Sequence, residues 1–142
     1  RQILVNLLSN AVKFTDEGGI ELSLEQILGV VLAPLAWTLG VPAGDAVTVG
    51  SLLGVKTVLN EFLAYEQLSA LVEAGALAPR SVLIASYALC GFANFGSLAI
   101  LLGGIGGLAP GRRSEIARFG LASIVSGSLA TFMTAAIAGA LG

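Results

Sequence analysis

An all-α membrane protein is the fold class that the sequence predicts, and three observations predict it. The chain of 142 residues is 56% hydrophobic and 11% charged, with a mean hydropathy of +0.91. Soluble domains carry about 25% charged residues, so these charges are too few to coat a soluble surface. Residues 81–109 and 119–142 contain no charged side chain at all. A hydrocarbon core of about 30 Å is crossed by about 20 helical residues, so both blocks are long enough to span. Finally, from Gln26 onward the charges sit at the ends of apolar blocks instead of recurring along them.

Composition also excludes several function classes. A formal net charge of -2 is too small to argue for a nucleic-acid partner. The chain has no histidine, and Cys90 is its one cysteine. An intramolecular disulfide framework and a histidine metal site are therefore both ruled out. No nucleophile–base or metal-ligand constellation stands out, so the sequence reads as a non-enzyme without cofactor or catalytic residue.

Residues 1–21 differ from the rest. Arg1, Lys13, Asp16, Glu17, Glu21 and, just beyond, Glu25 give this end a soluble character. A short non-membrane helix and turn are predicted here, joined to the membrane region within residues 18–23. Polar residues interrupt the apolar part, so the stretch does not read as a secretory signal.

Residues 26–42, "QILGVVLAPLAWTLGVP", are apolar but contain Pro34 and close on Pro42. An interior proline removes a helical hydrogen bond and clashes with the preceding turn. The prediction is a short, bent interfacial helix, with Trp37 at a depth that suits its amphipathic ring. In residues 45–75, Asp45, Lys56, Glu61, Glu66 and Glu73 divide the sequence into apolar arms too short to span alone. Such runs mark re-entrant or buried segments more often than spanning ones. A re-entrant helical hairpin with Lys56, Asn60 and Glu61 near its tip fits. A single amphipathic helix on the membrane surface fits too, and periodicity does not decide between them.

Residues 81–109 span with length to spare, yet their middle reads "GFANFGS". Glycines, an amide and a hydroxyl at membrane depth suggest a discontinuous helix. Where a helix unwinds there, free backbone groups and half-helix dipoles can face a binding cavity. The plainer explanation is packing: small residues let membrane helices approach, and an asparagine can hydrogen-bond across a helix pair. Gly103 and Gly107 match the small-xxx-small spacing and are predicted to pack. Residues 116–142 make the last spanning helix, with Ser123, Ser126, Ser128, Thr131 and Thr134 suited to helix contacts. The loop carrying Arg112, Arg113 and Arg118 is cytoplasmic by the positive-inside rule, which places the C-terminus outside.

The blocks "ILGVVLAPLAWTLGVP", "VGSLLGVKTVLNEFLAYEQL", "SYALCGFANFGSLAILLGGIGGLAP" and "RRSEIARFGLASIVSGSLATFMTAAIAG" together resemble the C-terminal part of a concentrative nucleoside transporter. The resemblance runs from about residue 22 to 142 in family order. It implies an external amphipathic helix, a re-entrant hairpin, a discontinuous spanning helix and a final spanning helix, in an inner (plasma) membrane protein. It also implies a cation-coupled nucleoside symporter, with Na⁺ or H⁺ as coupling ion and a homotrimer as the family assembly. By the same resemblance Glu61, Asn94 and Ser97 hydrogen-bond the ribose, and Phe92 packs on the base. Gly96 stands where many family members carry serine. The first re-entrant hairpin, its partner broken helix with the cation site, and the trimer scaffold helices have no counterpart in this sequence. The expectation is half of a binding site and no transport by this chain alone.

"NLLSNAVKFT", followed by "DEGG" and "IELSL", resembles instead the N-box of a sensor histidine kinase ATP-binding domain. Asn6, Asn10 and Lys13 share one helix face by spacing. The resemblance implies Asn10 as a Mg²⁺ ligand, with Asn6 and Lys13 near nucleotide phosphates. No glycine-rich box follows to complete a pocket, so the stretch reads as a fused remnant or assembly artefact without activity. Two rival functions follow: an ATP-binding kinase fragment, which requires stabilisation by ATP, and a small structural membrane protein. The second requires Glu61, Asn94 and Ser97 to be replaceable by apolar residues.

Overall fold

The computed structural model describes residues 24–142. The N-box-like stretch with Asn6, Asn10 and Lys13 therefore lies outside the described residues. Those described form α1 (Leu24–Thr38), α2 (Ala46–Val58), α3 (Glu61–Glu73), α4 (Pro79–Leu89), α5 (Phe95–Leu108), a 3₁₀ turn (Pro110–Arg112) and α6 (Arg113–Leu141). No strand occurs among them, so this part of the chain is all-helical.

Two helix ends are fixed by glycine. At the end of α1, Gly40 has φ 98°. Its N–H bonds to the Trp37 carbonyl at 2.9 Å, and the Val41 N–H reaches back to Ala36 at 3.2 Å. At the end of α3, Gly75 has φ 62°. Its N–H bonds to Val72 at 3.0 Å, and the Ala76 N–H to Leu71 at 2.9 Å. Both are Schellman ends, in which a left-handed glycine lets its own amide and the next one satisfy carbonyls the helix leaves open. Pro34 sits inside α1 without ending it. The carbonyl that loses its partner belongs to Val30, which is exposed.

Helices α1 and α2 make the most extensive helix pair, because glycines remove the side chains between them. A Cβ on Gly50 would lie 2.5 Å from the Gly29 carbonyl oxygen, and one on Gly54 would lie 2.6 Å from Leu28 Cβ. The core then extends through Val49, Leu52, Leu53 and Val55 of α2 to Ile84, Ala85, Ala88 and Leu89 of α4 and Ala135 of α6. Gly139 of α6 receives Ile84 in the same way, with a Cβ there 2.8 Å from Ile84 Cδ1.

The start of α4 is tied to the loop before α2. Asp45 Oδ2 accepts from the Ala78 N–H at 3.0 Å and from Ser81 Oγ at 2.5 Å. An anion belongs at a helix N-terminus, where amides are unpaired and the dipole is positive. These hydrogen bonds, Ser81 foremost, hold the Asp45 carboxyl below its ordinary range. Arg80 closes the corner by donating from Nε to the Gly40 carbonyl at 3.0 Å.

Helix α6, 29 residues long, extends about 43 Å at 1.5 Å per residue. With the 3₁₀ turn it is the one helix among the described residues long and apolar enough to cross a membrane. Its outer face carries Phe119, Leu121, Val125, Leu129, Met133 and Ile137, all exposed. Its hydroxyls bond mainly to their own helix: Ser123 to Gly120, Thr131 to Ser128 and Thr134 to Ala130. Gly103 and Gly107 meet nothing within 4 Å among the described residues. Close approach falls instead to Gly29, Gly50, Gly54, Gly120 and Gly139, because a glycine packs where its own face turns toward a neighbour, whatever its spacing.

Two outcomes follow. Gly50→Ala is expected to lower thermal stability in detergent by about 1–3 kcal/mol through overpacking, whereas Gly103→Ala, with open space around it, is neutral or slightly stabilising. A carboxylate with a depressed folded pKa contributes stability that is complete above its unfolded pKa and is lost as pH falls through the folded one. A thermal melt series is therefore expected to show stability falling below the ordinary Asp value of about 3.9, with Asp45→Asn flattening that decline.

Candidate functional site

Helix α4 stops at Leu89 and α5 begins at Phe95, leaving residues 90–94 without helix inside the longest apolar run. A break there exposes the last four C=O groups of one half and the first four N–H groups of the next. Inside protein or lipid each of these needs a partner.

On the α4 side all four carbonyls are met. Ser86 O accepts from Tyr65 Oη at 2.6 Å, although the two residues are 21 apart in sequence. Tyr87 O accepts from the Cys90 N–H at 3.3 Å, and Leu89 O from the Gly91 N–H at 2.8 Å. Ala88 O accepts from Lys56 Nζ at 3.2 Å. The two local bonds come from the turn itself; the two distant ones come from α2 and α3. Gly91 allows the turn to sit close: a Cβ there would lie 2.7 Å from Thr131 Cγ2 of α6.

On the α5 side Asn94 is the N-cap. Its Oδ1 accepts from the Ser97 N–H at 2.7 Å, and its own N–H donates to Ser97 Oγ at 3.2 Å. This is a reciprocal capping box with serine in place of the usual Glu or Gln. The Ser97 hydroxyl has one proton to donate, and the carbonyls of Phe92 and Asn94 both lie 2.9 Å away.

The cap leaves the Asn94 amide nitrogen facing Glu61. Asn94 Nδ2 donates to Glu61 Oε2 at 2.7 Å across 33 residues of sequence. Only this orientation of the amide works, since a flipped one would set acceptor against carboxylate and donor against N–H. Glu61 itself opens α3, and Asn60 caps that helix by accepting from the Leu63 N–H at 3.0 Å. Two asparagine-capped helix N-termini therefore bring one carboxylate, one amide and one hydroxyl together. Asn94 and Ser97 are buried and Glu61 is partly exposed. A carboxylate can accept about four hydrogen bonds, so Glu61 retains capacity for a ligand's hydroxyls beyond its bond to Asn94.

Phe92 is placed differently. Its ring is 66% exposed, at the mouth of a cleft of about 100 Å³ between α5 and α6 that Ser97, Leu101 and Ser123 also line. Its backbone joins the cluster through the carbonyl facing Ser97, while its side chain lines the cleft. The remaining candidates, Asn6, Asn10 and Lys13, lie outside the described residues.

Sequence reasoning did not single out Tyr65, and it gave Lys56 only a place near the hairpin tip. Tyr65 lies four residues after Glu61 on the same helix, so the spacing alone puts both on one face. Lys56 carried the stronger signal: it is a lysine inside an otherwise apolar helix and is 0% exposed.

Comparison with known proteins gives this geometry a family. The family model described as Na⁺ dependent nucleoside transporter C-terminus matches residues 3–139, which takes in most of the stretch that resembles an N-box. An uncharacterized transporter of Bacillus subtilis, YutK, is 51% identical over 117 residues, covering 82% of this chain and 28% of its own length. Solute carrier family 28 member 3 of Eptatretus stoutii is 46% identical over 134 residues, covering 85% of this chain and 20% of its own. The solved structure of CNTnw in an inward-facing substrate-bound state superposes with a TM-score of 0.79 at 40% identity, over 97% of this chain and 37% of that one. The chain thus spans between about a fifth and two fifths of the length of these proteins. The chain belongs to the Na⁺ dependent nucleoside transporter C-terminus family.

Proposed function

We propose that this chain supplies the ribose-binding half of the substrate site in a cation-coupled nucleoside symporter. The observation that carries the reading is the hydrogen-bonded set Glu61–Asn94–Ser97, built where a helix breaks inside an apolar block. Ribose hydroxyls donate and accept at once. A carboxylate that only accepts, an amide that does both and a hydroxyl that does both can share them without leaving a buried group unpaired. Phe92, with an exposed ring beside the cluster, offers an aromatic face to the base. The hairpin of α2 and α3 enters the membrane and returns, the half-helices α4 and α5 cross it together, and α6 crosses it alone. With the loop of Arg112, Arg113 and Arg118 in the cytoplasm, the C-terminus lies outside. Na⁺ is the co-substrate that the family's name indicates, and residues beyond this chain hold it.

The test is equilibrium binding of uridine to the chain in nanodiscs, with and without Na⁺. Saturable binding is expected in the wild type. Asn94→Ala removes the cap and the Glu61 contact together, so it is expected to abolish that binding and lower stability by about 1–2 kcal/mol. Glu61→Gln keeps an acceptor for Asn94 Nδ2 but not the charge. It is expected to lower stability by about 1 kcal/mol, through the loss of charge in that bond, while binding uridine at least tenfold more weakly. No uridine binding by the wild type would overturn the half-site. Reconstituted in liposomes, the chain alone is expected to show no Na⁺-driven uridine uptake, because half a site cannot alternate its access.

A further inference from the structure

Lys56 is fully buried and is the largest of the fully buried side chains. A lysine taken out of water is tolerated only where other groups replace its hydration. Here two groups do so. Nζ donates to the Ala88 carbonyl at 3.2 Å. The ammonium lies over the Phe132 ring of α6, 5.4 Å from its centroid, within the range of a cation–π contact. Glu61 adds a favourable opposite charge at longer range. Gly91 lies beside Nζ, where a Cβ would come to 3.4 Å from it, an ordinary contact distance.

Ala88 is the residue before the last in α4. A helix C-terminus carries roughly half a negative charge spread over its unpaired carbonyls, and in α4 that end is formed by the break, with Ala88 and Leu89 buried. A cation fixed there stabilises the broken end more than a surface cation would, since screening is weak. The opposite edge of the break carries the complementary arrangement. Glu61 accepts from Asn94, the cap of the positive N-terminus of α5. The α2–α3 hairpin thus sets a positive group against the negative end of one half-helix and a negative group beside the cap of the other. Lys56 and Glu61 are separated only by the last two residues of α2 and the junction at residues 59–60.

We propose that Lys56 is a positioning residue for the site. Its ammonium holds the open C-terminal end of α4 against α2 and α6, and so fixes where the turn delivers Asn94 to Glu61. It touches no ligand and acts through the Ala88 carbonyl. The inference rests on the nucleoside reading only for its second readout below; the first concerns the break itself.

Peptide-resolved hydrogen exchange on the chain in nanodiscs tests it, with α1 as internal reference. Lys56→Met keeps the length and apolar stem but removes the charge and the donor. It is expected to speed exchange across residues 89–98 by about tenfold, the loss of one buried charged hydrogen bond, while α1 exchanges as in wild type. Should Lys56→Met fail to fold, Lys56→Gln carries the test. Its shorter neutral donor is expected to give at least threefold faster exchange over the same residues, with α1 unchanged. Exchange at residues 89–98 within twofold of wild type would overturn the proposal. So would a rise of equal size in α1, since that would make Lys56 a general core residue. The second readout is uridine affinity, expected to weaken in parallel with the exchange. Wild-type chain that binds no uridine would reject the functional reading and leave the exchange result standing, whereas unchanged uridine affinity beside faster exchange would reject the positioning role.

Discussion

Everything around the site depends on one constraint: a helix interrupted in an apolar setting must find partners for the backbone groups it frees. At a surface, water would supply them. Here the α4 carbonyls are met by Tyr65, Lys56 and the two amides of the turn, and at the start of α5 the capping box meets the amides of Asn94 and Ser97. An unpartnered buried polar group costs about 1–3 kcal/mol, so each of these partners offsets a cost of that size at the break. No buried side-chain nitrogen or oxygen is left unpaired among the described residues.

The partners have to come from somewhere rigid, which explains the glycines of α1 and α2. Gly29 and Gly50 let the two helices touch backbone to backbone, and Gly54 receives the Leu28 side chain, so α2 is held firmly where it carries Lys56. The junction at residues 59–60 then delivers α3 with Glu61 and Tyr65 on its first turns. Asp45 fixes the far end of α4 by accepting from Ala78 and Ser81. Helix α4 is therefore gripped at both ends by polar contacts from α2, α3 and the loop before α2, with an apolar middle of Ile84 and Ala85 between.

The other side of the molecule is built to a different rule. Much of α5 and the outer face of α6 expose Ile100, Leu108, Leu121, Met133 and Ile137. In water such a surface would be a liability; against lipid or the remainder of a longer protein it needs no polar cover. The family assignment supplies the setting, because the relatives extend well beyond the length of this chain.

What the sequence determined by itself is the helical class and the places where helices end. Apolar runs without charge, Pro79 at the first turn of α4, Gly40 and Gly75 past helix ends and the Asn94–Ser97 spacing are all local signals that act over a few residues. Periodicity could not choose between a hairpin and a surface helix for residues 45–75, because both bury one apolar stripe. The packing glycines were equally illegible: Gly103 and Gly107 have the spacing and no neighbour, whereas Gly50 and Gly139 have neighbours that only the folded chain brings. The same holds for the site. Asn94 and Glu61 each stood out as polar groups in apolar surroundings, but their 2.7 Å contact joins residues 33 apart. Lys56 was visible as a misplaced charge, yet its partner is a backbone carbonyl, which no side-chain pattern records. Tertiary structure decided the packing glycines and the site contacts because a hydrogen bond across helices depends on how their axes are placed, and packing sets that placement.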